Sequence, residues 1–139
     1  SSDVCSSDLW TKPRYADNDP AGNHIVNATQ RVANLTFALR NLGPWSGSLG
    51  IRYIGSAPLI EDNSIRSTSS LTTNLRVSRK ISNDITMAMD VLNLTDRKNN
   101  DISYYYTSRV AGEPASGIDG VHVHPAVPRT VRISARIQF

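Results

Sequence analysis

From residue 31 onward, apolar and polar side chains alternate with a period of two in several separate runs. In the first run, Ala33, Leu35, Phe37 and Leu39 alternate with Asn34, Thr36 and Arg40. Because successive side chains of a strand point to opposite sides, this pattern predicts a strand with one apolar and one polar side. The chain is therefore expected to be all-β and antiparallel.

Five such runs are separated by turn-forming residues. The apolar sides of the later runs are Trp45, Leu49, Ile51 and Tyr53; Leu71, Leu75 and Val77; Ile85, Met87, Met89 and Val91; and Val131, Ile133, Ala135, Ile137 and Phe139. We expect the fourth strand to continue past an irregularity at residues 93–100 into residues 102–106. The glycines and prolines that follow predict a long loop without regular structure before the last strand.

The connections between these strands alternate between short and long. Residues 41–44 and 79–84 are short, whereas residues 55–70 and the segment before the last strand are long. An up-and-down barrel in an outer membrane has tight turns on one rim and extended loops on the other. The loop lengths therefore favour a transmembrane barrel.

The charged residues of the runs lie on the polar side of each strand: Arg40, Arg52, Arg76, Asp90, Arg132 and Arg136. A basic side chain facing lipid at mid-bilayer costs about 2–4 kcal/mol, so a barrel needs this one-sided placement. Trp45, Tyr53 and Phe139, near strand ends, could belong to the interfacial aromatic girdles. A soluble β-sandwich shows the same alternation and remains an alternative, as does a porin-type barrel or an outer-membrane enzyme built on a smaller barrel.

Composition excludes other classes of protein. No stretch approaches the roughly 18 consecutive apolar residues of a membrane-spanning helix. The net charge of +3 comes from scattered basic residues, without the clustering that a nucleic-acid interface needs, so no nucleic acid is expected as a partner. Cys5 is the single cysteine, which excludes a disulfide framework and a thiolate metal site.

Residues 1–9 contain Ser-Ser-Asp twice and have no periodicity. They resemble the translation of a sequencing-adapter read-through, and we interpret them as a non-native tail without a role in the fold. The chain also begins at Ser1 rather than Met, so we expect the natural N-terminus to lie upstream. Residues 10–30 are predicted to form an outer loop, and residues 31–139 the strands.

Three motifs in this part of the chain resemble those of TonB-dependent receptors. Residues 50–55, Gly-Ile-Arg-Tyr-Ile-Gly, resemble an Arg-Tyr-Val-Gly strand end of that family. Asn93-Leu94-Thr95-Asp96 resembles the Asn-Leu-Phe-Asp motif of the penultimate strand, with Thr95 where the family has Phe. Pro128-Arg129-Thr130, opening a strand that ends on Phe139, resembles the C-terminus of such receptors.

The resemblance implies an antiparallel up-and-down transmembrane β-barrel in the outer membrane of a Gram-negative bacterium, of which this chain is a fragment with about the last five strands. Such receptors have about 22 strands around an N-terminal plug, and TonB energises the uptake of scarce ligands such as iron-siderophore complexes. The implied partners are outer-membrane lipid, the plug, TonB, a small-molecule ligand such as a metal chelate, and the barrel assembly machinery. The last of these would recognise the terminal Phe139.

No arrangement of residues predicts catalysis, so the protein is not expected to be an enzyme or to bind a cofactor. His122 and His124 would point the same way from an extended segment, but two ligands are too few for a stable metal site, and none is expected. Tyr104, Tyr106 and Arg109 lie at the base of the same predicted loop. The resemblance implies that Tyr104, Tyr106 and Arg109 contact an anionic, aromatic-rich ligand, and that His122 and His124 face the ligand or solvent. The alternative for the tyrosines is an interfacial belt or packing within the sheet.

Overall fold

The computed structural model describes residues 1–17 and 19–138, which form eight strands in two antiparallel sheets. The strands are β1 (Ser2–Trp10), β2 (Arg31–Leu42), β3 (Trp45–Ile54), β4 (Ser70–Lys80), β5 (Ile85–Leu92), β6 (Asn100–Ser108), β7 (Ile118–Pro125) and β8 (Thr130–Ile137). A six-stranded sheet has the order β1-β2-β3-β4-β5-β8, and β6 and β7 form a separate hairpin. The prediction of an all-β, antiparallel fold is confirmed; the sheet is open rather than closed into a barrel.

The strand register joins the apolar sides of β2, β3, β4, β5 and β8 into one continuous surface. Residues directly opposite each other in antiparallel strands share a face of the sheet. The opposed pairs on this face include Leu35 with Ile51, Leu49 with Leu75, Val77 with Met89, and Met87 with Ala135. We call this surface the apolar face.

Much of the apolar face is open to its surroundings. Its exposed large side chains are Phe37, Leu39, Trp45, Tyr53, Ile85, Met87, Met89, Val131, Ile133 and Ile137, of which Ile133 is the most exposed at 70%. The deepest burial lies instead in a connection between strands, at Ala57, Pro58 and Leu59. Among the described residues, then, no second layer covers the sheet in the way that a sandwich core requires.

We call the opposite side of the sheet the polar face. The charged residues that the alternating pattern predicts for this side do lie on it. Arg76 donates from Nη1 to Asp90 Oδ1 across β4 and β5 at 3.0 Å. Arg132 of β8 stands opposite Asp90 on the other flank. The carboxylate is thus flanked by two guanidinium groups on one wet surface.

The connections sort by length onto the two rims of the sheet. The β2–β3 and β4–β5 turns, with residues 43–44 and 81–84, lie at one rim. Residues 11–30, 55–69 and 93–129 all lie at the opposite rim, which we call the long-connection rim. The predicted division into short and long connections is confirmed, and residues 11–30 are irregular apart from an isolated bridge between Arg14 and His24.

The expected continuation of the fourth strand is wrong. β5 ends at Leu92, and the chain then turns through Asn93 and Asp96, which both have positive φ angles. Residues 100–108 form β6, which pairs with β7 rather than with the main sheet. The count of about five strands was therefore too low.

The prediction that residues 107–129 lack regular structure is also wrong, since they contain β7. The glycines and prolines end strands here instead of preventing them. Gly117 has φ +77°, and a Cβ at this position would lie 2.8 Å from the Ser108 carbonyl oxygen. Only glycine fits the close approach that closes this hairpin.

Residues 2–9 lie in β1, which pairs with β2 over its whole length, although their sequence has no strand pattern. The pairing places Asp8 opposite Ala33 on the apolar face and Leu9 opposite Val32 on the polar face. Val4 and Trp10 also lie on the apolar face, and Asp3 and Ser7 on the polar face, so β1 has no consistent alternation. It is held by backbone pairing, to which the Asp3–Arg40 ion pair adds a side-chain contact. Its origin as a non-native tail stays a prediction.

The terminal Phe139 lies outside the described residues. Among those described, no helix has the length and apolar character to cross a membrane.

The β5–β8 pairing predicts a disulfide in a variant carrying Cys5→Ser, Ala88→Cys and Ser134→Cys. Ala88 and Ser134 are directly opposite, and opposed Cα atoms lie about 4.5–5.5 Å apart, which a disulfide can span. Mild oxidation of the protein expressed from its full reading frame should give the cross-link, detected by mass spectrometry. The matched variant with Ala135→Cys in place of Ser134→Cys should not form it, because residue 135 faces the other side. Equal cross-linking in both would show that the register is different.

Candidate functional site

The motif residues of the last two paired strands meet at the long-connection rim. Asn93 is only 3% exposed and has φ 50°. Its Nδ2 donates to the carbonyl oxygens of Arg97 (2.9 Å) and Val127 (3.3 Å), and its Oδ1 accepts from the Arg97 N–H (3.1 Å). One side chain therefore joins the end of β5 to the residue just before Pro128.

A second link runs between the same segments. Arg129 Nη2 donates to Asp96 Oδ2 at 3.1 Å, in an exposed ion pair. Leu94 N–H donates to the Thr73 carbonyl oxygen at 2.7 Å, which holds the turn against β4. We call the group of Asn93, Leu94, Asp96, Pro128 and Arg129 the clasp. It holds the start of β8 beside the end of β5 although the β6–β7 hairpin intervenes.

Asn99 was not identified from the sequence, yet it ties the hairpin to the sheet. Its side-chain Nδ2 donates to the Leu71 carbonyl oxygen (3.0 Å), and its Oδ1 accepts from the Leu71 N–H (3.3 Å). Its own carbonyl oxygen accepts from the Ala126 N–H at 2.9 Å. The amide acts like a peptide group of a neighbouring strand, beyond the point where β5 pairs with β4.

The structure brings together four of the five residues predicted to contact a ligand. Tyr104, Tyr106, His122 and His124 lie on one face of the β6–β7 hairpin, with Tyr104 opposite His122. The fifth, Arg109, lies beyond β6 in the hairpin turn, where its Nε donates to the Glu113 carbonyl oxygen at 3.2 Å. No contact joins Arg109 to the other four in the part of the chain that the structure describes.

The rings of Tyr106 and His122 stack on each other, with centroids 3.9 Å apart and planes 19° from parallel. His122 Nε2 is buried and has no hydrogen-bond partner within the described ranges. One face of each ring is thereby occupied within the protein. Tyr104 and Tyr106 are similarly exposed, at 48% and 50%, but no ring stacks on Tyr104 within the described residues, so both of its faces are open to a ligand.

A cleft of about 400 Å³ opens at the long-connection rim, and we call it the rim cleft. From the main sheet, Arg52, Ile54, Ser70 and Thr72 line it, with Arg52 and Thr72 on the polar face. From β6, the lining residues are Asn100, Asp101, Ile102, Ser103 and Tyr104. The connections between strands supply the others: Asn27, Thr29, Gly55, Ala57, Ser67, Thr68, Asn99 and Ala126. Tyr104 is thus the one predicted ligand residue that lines it. The remaining lining residues come from five separate segments, at 27–29, 52–57, 67–72, 99–103 and 126, which no local motif could have indicated.

An acidic pocket lies in the same rim, lined by Asp17, Asp19, His24, Glu61 and Asp62 among others. The N–H of Ser64 donates to Asp62 Oδ1 at 2.9 Å, and this hydrogen bond is the main reason that the pKa of the exposed Asp62 lies below its usual value. Across residues 1–17 and 19–138, no three His, Cys, Asp or Glu side chains are arranged to hold a metal ion.

No protein-family model matches the sequence, and no curated protein matches it significantly.

The clasp predicts that Asn93 stabilises the fold through its side chain more than through its backbone angle. Asn93→Ala should lower the free energy of unfolding by about 1–3 kcal/mol, because the buried carbonyl and amide groups lose their partners. Asn93→Gly keeps the positive φ accessible but removes the same hydrogen bonds. It should therefore be destabilising too. Denaturant titration of both variants measures this, and a Gly variant as stable as the wild type would contradict it.

Proposed function

We propose that this chain forms C-terminal strands of a TonB-dependent receptor, a transmembrane β-barrel of a bacterial outer membrane that takes up a scarce ligand. The observation that carries the proposal is the exposed apolar face, continuous over five strands. Arg31 and Arg79 lie at its two ends, and the other charged residues of these strands lie on the opposite side. In this proposal the apolar face contacts lipid, and the polar face lines a wet lumen.

The height of the apolar face supports the proposal. Trp45 and Tyr53 mark its two ends on β3, eight residues apart on the same side. At about 3.3 Å per residue they are separated by roughly 26 Å along the strand, or roughly 20 Å along the normal of a membrane for a tilt of about 40°. This approaches the apolar band of about 25 Å in outer-membrane barrels.

The short-turn rim has the chemistry of a membrane interface. The Arg79 guanidinium lies over the Trp45 ring, 5.1 Å from its centroid. Arg79 is opposite Trp45 at the end of β4, on the side of the apolar residues. Amphipathic aromatic and basic side chains at this position can reach the headgroup layer while their apolar parts stay in hydrocarbon.

Two features support a ligand-binding end at the long-connection rim. The long connections of outer-membrane barrels face outward, where ligands arrive. The rim cleft and the aromatic face of the hairpin both lie there. The clasp residues would then keep the last two paired strands in register beneath the binding loops.

The proposal predicts opposite outcomes for two neighbouring substitutions in the middle of β2. Phe37 is 41% exposed on the apolar face, so Phe37→Arg would be tolerated in water, whereas in lipid it should cost about 2–4 kcal/mol. Thr36→Arg, on the polar face, is the matched control and should have little effect. The readout is the amount of folded protein in the outer-membrane fraction. Equal yields from both variants would argue against a lipid-facing surface.

The proposal also predicts that the 139-residue chain alone does not form a closed barrel. Closed outer-membrane barrels need at least about eight strands in one cylinder, and open edges in lipid leave backbone groups unpaired. The isolated chain in detergent should give no heat-modifiable monomer on a gel, whereas the product of the full reading frame should give one. A heat-modifiable monomer from the isolated chain would refute the proposal.

A further inference from the structure

We propose that the rim cleft binds a polyhydroxylated, sugar-like molecule. This inference rests on the proposed receptor function, for which it names the ligand class. Its support is the shape of the cleft and the chemistry of the groups that line it. The stacked Tyr106 and His122 do not line the cleft.

The cleft is enclosed by parts of the chain that hydrogen bonds hold in place. Asn99 fixes the start of β6 against β4 through Leu71, as described above. Asn100 Nδ2 donates to Thr68 Oγ1 at 3.4 Å, which links β6 to the connection between β3 and β4. A volume of about 400 Å³ lies within the range of small-molecule sites. The walls are thus set before a ligand arrives, which lowers the entropic cost of binding.

The cleft is lined by one positive and one negative side chain, and neither forms an ion pair within the described residues. Arg52 and Asp101 both line it, and neither makes a salt bridge or a side-chain hydrogen bond within residues 1–17 and 19–138. A multiply charged anion would meet one guanidinium and one opposing carboxylate, which is a poor match. A neutral ligand with adjacent hydroxyl groups can instead accept from the guanidinium and donate to the carboxylate.

The other lining groups fit the same chemistry. Asn27, Thr29 and Thr68 supply amide and hydroxyl groups that both donate and accept, as sugar hydroxyls do. Tyr104 adds an exposed ring against which the C–H face of a sugar can pack. Together these groups match a ligand that is polar at its edges and apolar on one face.

The test uses the product of the full reading frame, purified in detergent and screened on an array of neutral oligosaccharides. We expect binding of at least one glycan, whose affinity isothermal titration calorimetry then measures. Arg52→Gln and Asp101→Asn should each weaken that binding by about tenfold or more, since each removes a charge-assisted hydrogen bond. Arg136→Gln, on the polar face of β8 and outside the cleft, is the matched control for Arg52→Gln and should leave the affinity unchanged.

Three results would overturn the inference: no glycan of the array binds, binding persists unchanged in both cleft variants, or a ferric tris-catecholate complex competes for the site. Membrane fractionation tests the receptor proposal separately, by measuring whether the protein is found in the membrane or in the aqueous fraction. Glycan binding by a protein that stays in the aqueous fraction would retain the cleft assignment and reject the receptor.

Discussion

The pairing register of the six-stranded sheet determines which side chains share each of its two faces. Side chains alternate along a strand, so a slip of one residue in any pairing would turn a whole strand over. The observed register instead puts Leu49, Leu75 and Val91 side by side on one surface. It puts Arg76, Asp90 and Arg132 side by side on the other. One surface suited to hydrocarbon and one suited to water follow from that single choice.

Side-chain amides maintain this register where backbone pairing cannot. Between β5 and β8 the chain makes a long excursion through the hairpin, and closing such a loop has an entropic cost. Asn93 offsets part of that cost by bonding to both ends of the excursion. Asn99 does the same between the hairpin and β4. Asparagine suits these positions because its amide has the donor and acceptor of a peptide group and tolerates a left-handed backbone.

The sequence predicted those parts of the fold in which the pattern is local. β2, β3, β4, β5 and β8 follow from alternation, and their connections from glycine, proline and polar residues. The hairpin was missed because Tyr104, Tyr105 and Tyr106 do not alternate and because the glycines of β7 and its turn suggested a loop. β1 was missed because its side chains do not alternate consistently and its pairing depends largely on backbone groups, which every sequence has. Arg52, Asn27 and Asp101 meet in the rim cleft only through tertiary structure, so no spacing in the sequence could place them together.

The aromatic residues of the hairpin show a limit of another kind. Their type and order indicated a ligand surface, and four of them do share a face. Whether a ring contacts a ligand or another ring depends on its diagonal neighbours across the strands. Tyr106 stacks on its diagonal neighbour His122, so one face of each ring is covered by the protein itself.

The irregular pattern of β1 has a consequence for how such a sheet folds. Because a Ser-rich strand without a consistent apolar side occupies the edge of β2 largely through backbone pairing, that edge discriminates poorly among incoming strands. β8 presents a second open edge, with Arg132 and Arg136 as its charged residues and no proline within it. During folding, correct strand pairing therefore competes with edge-to-edge aggregation, and the yield of native protein depends on folding kinetics as well as on stability.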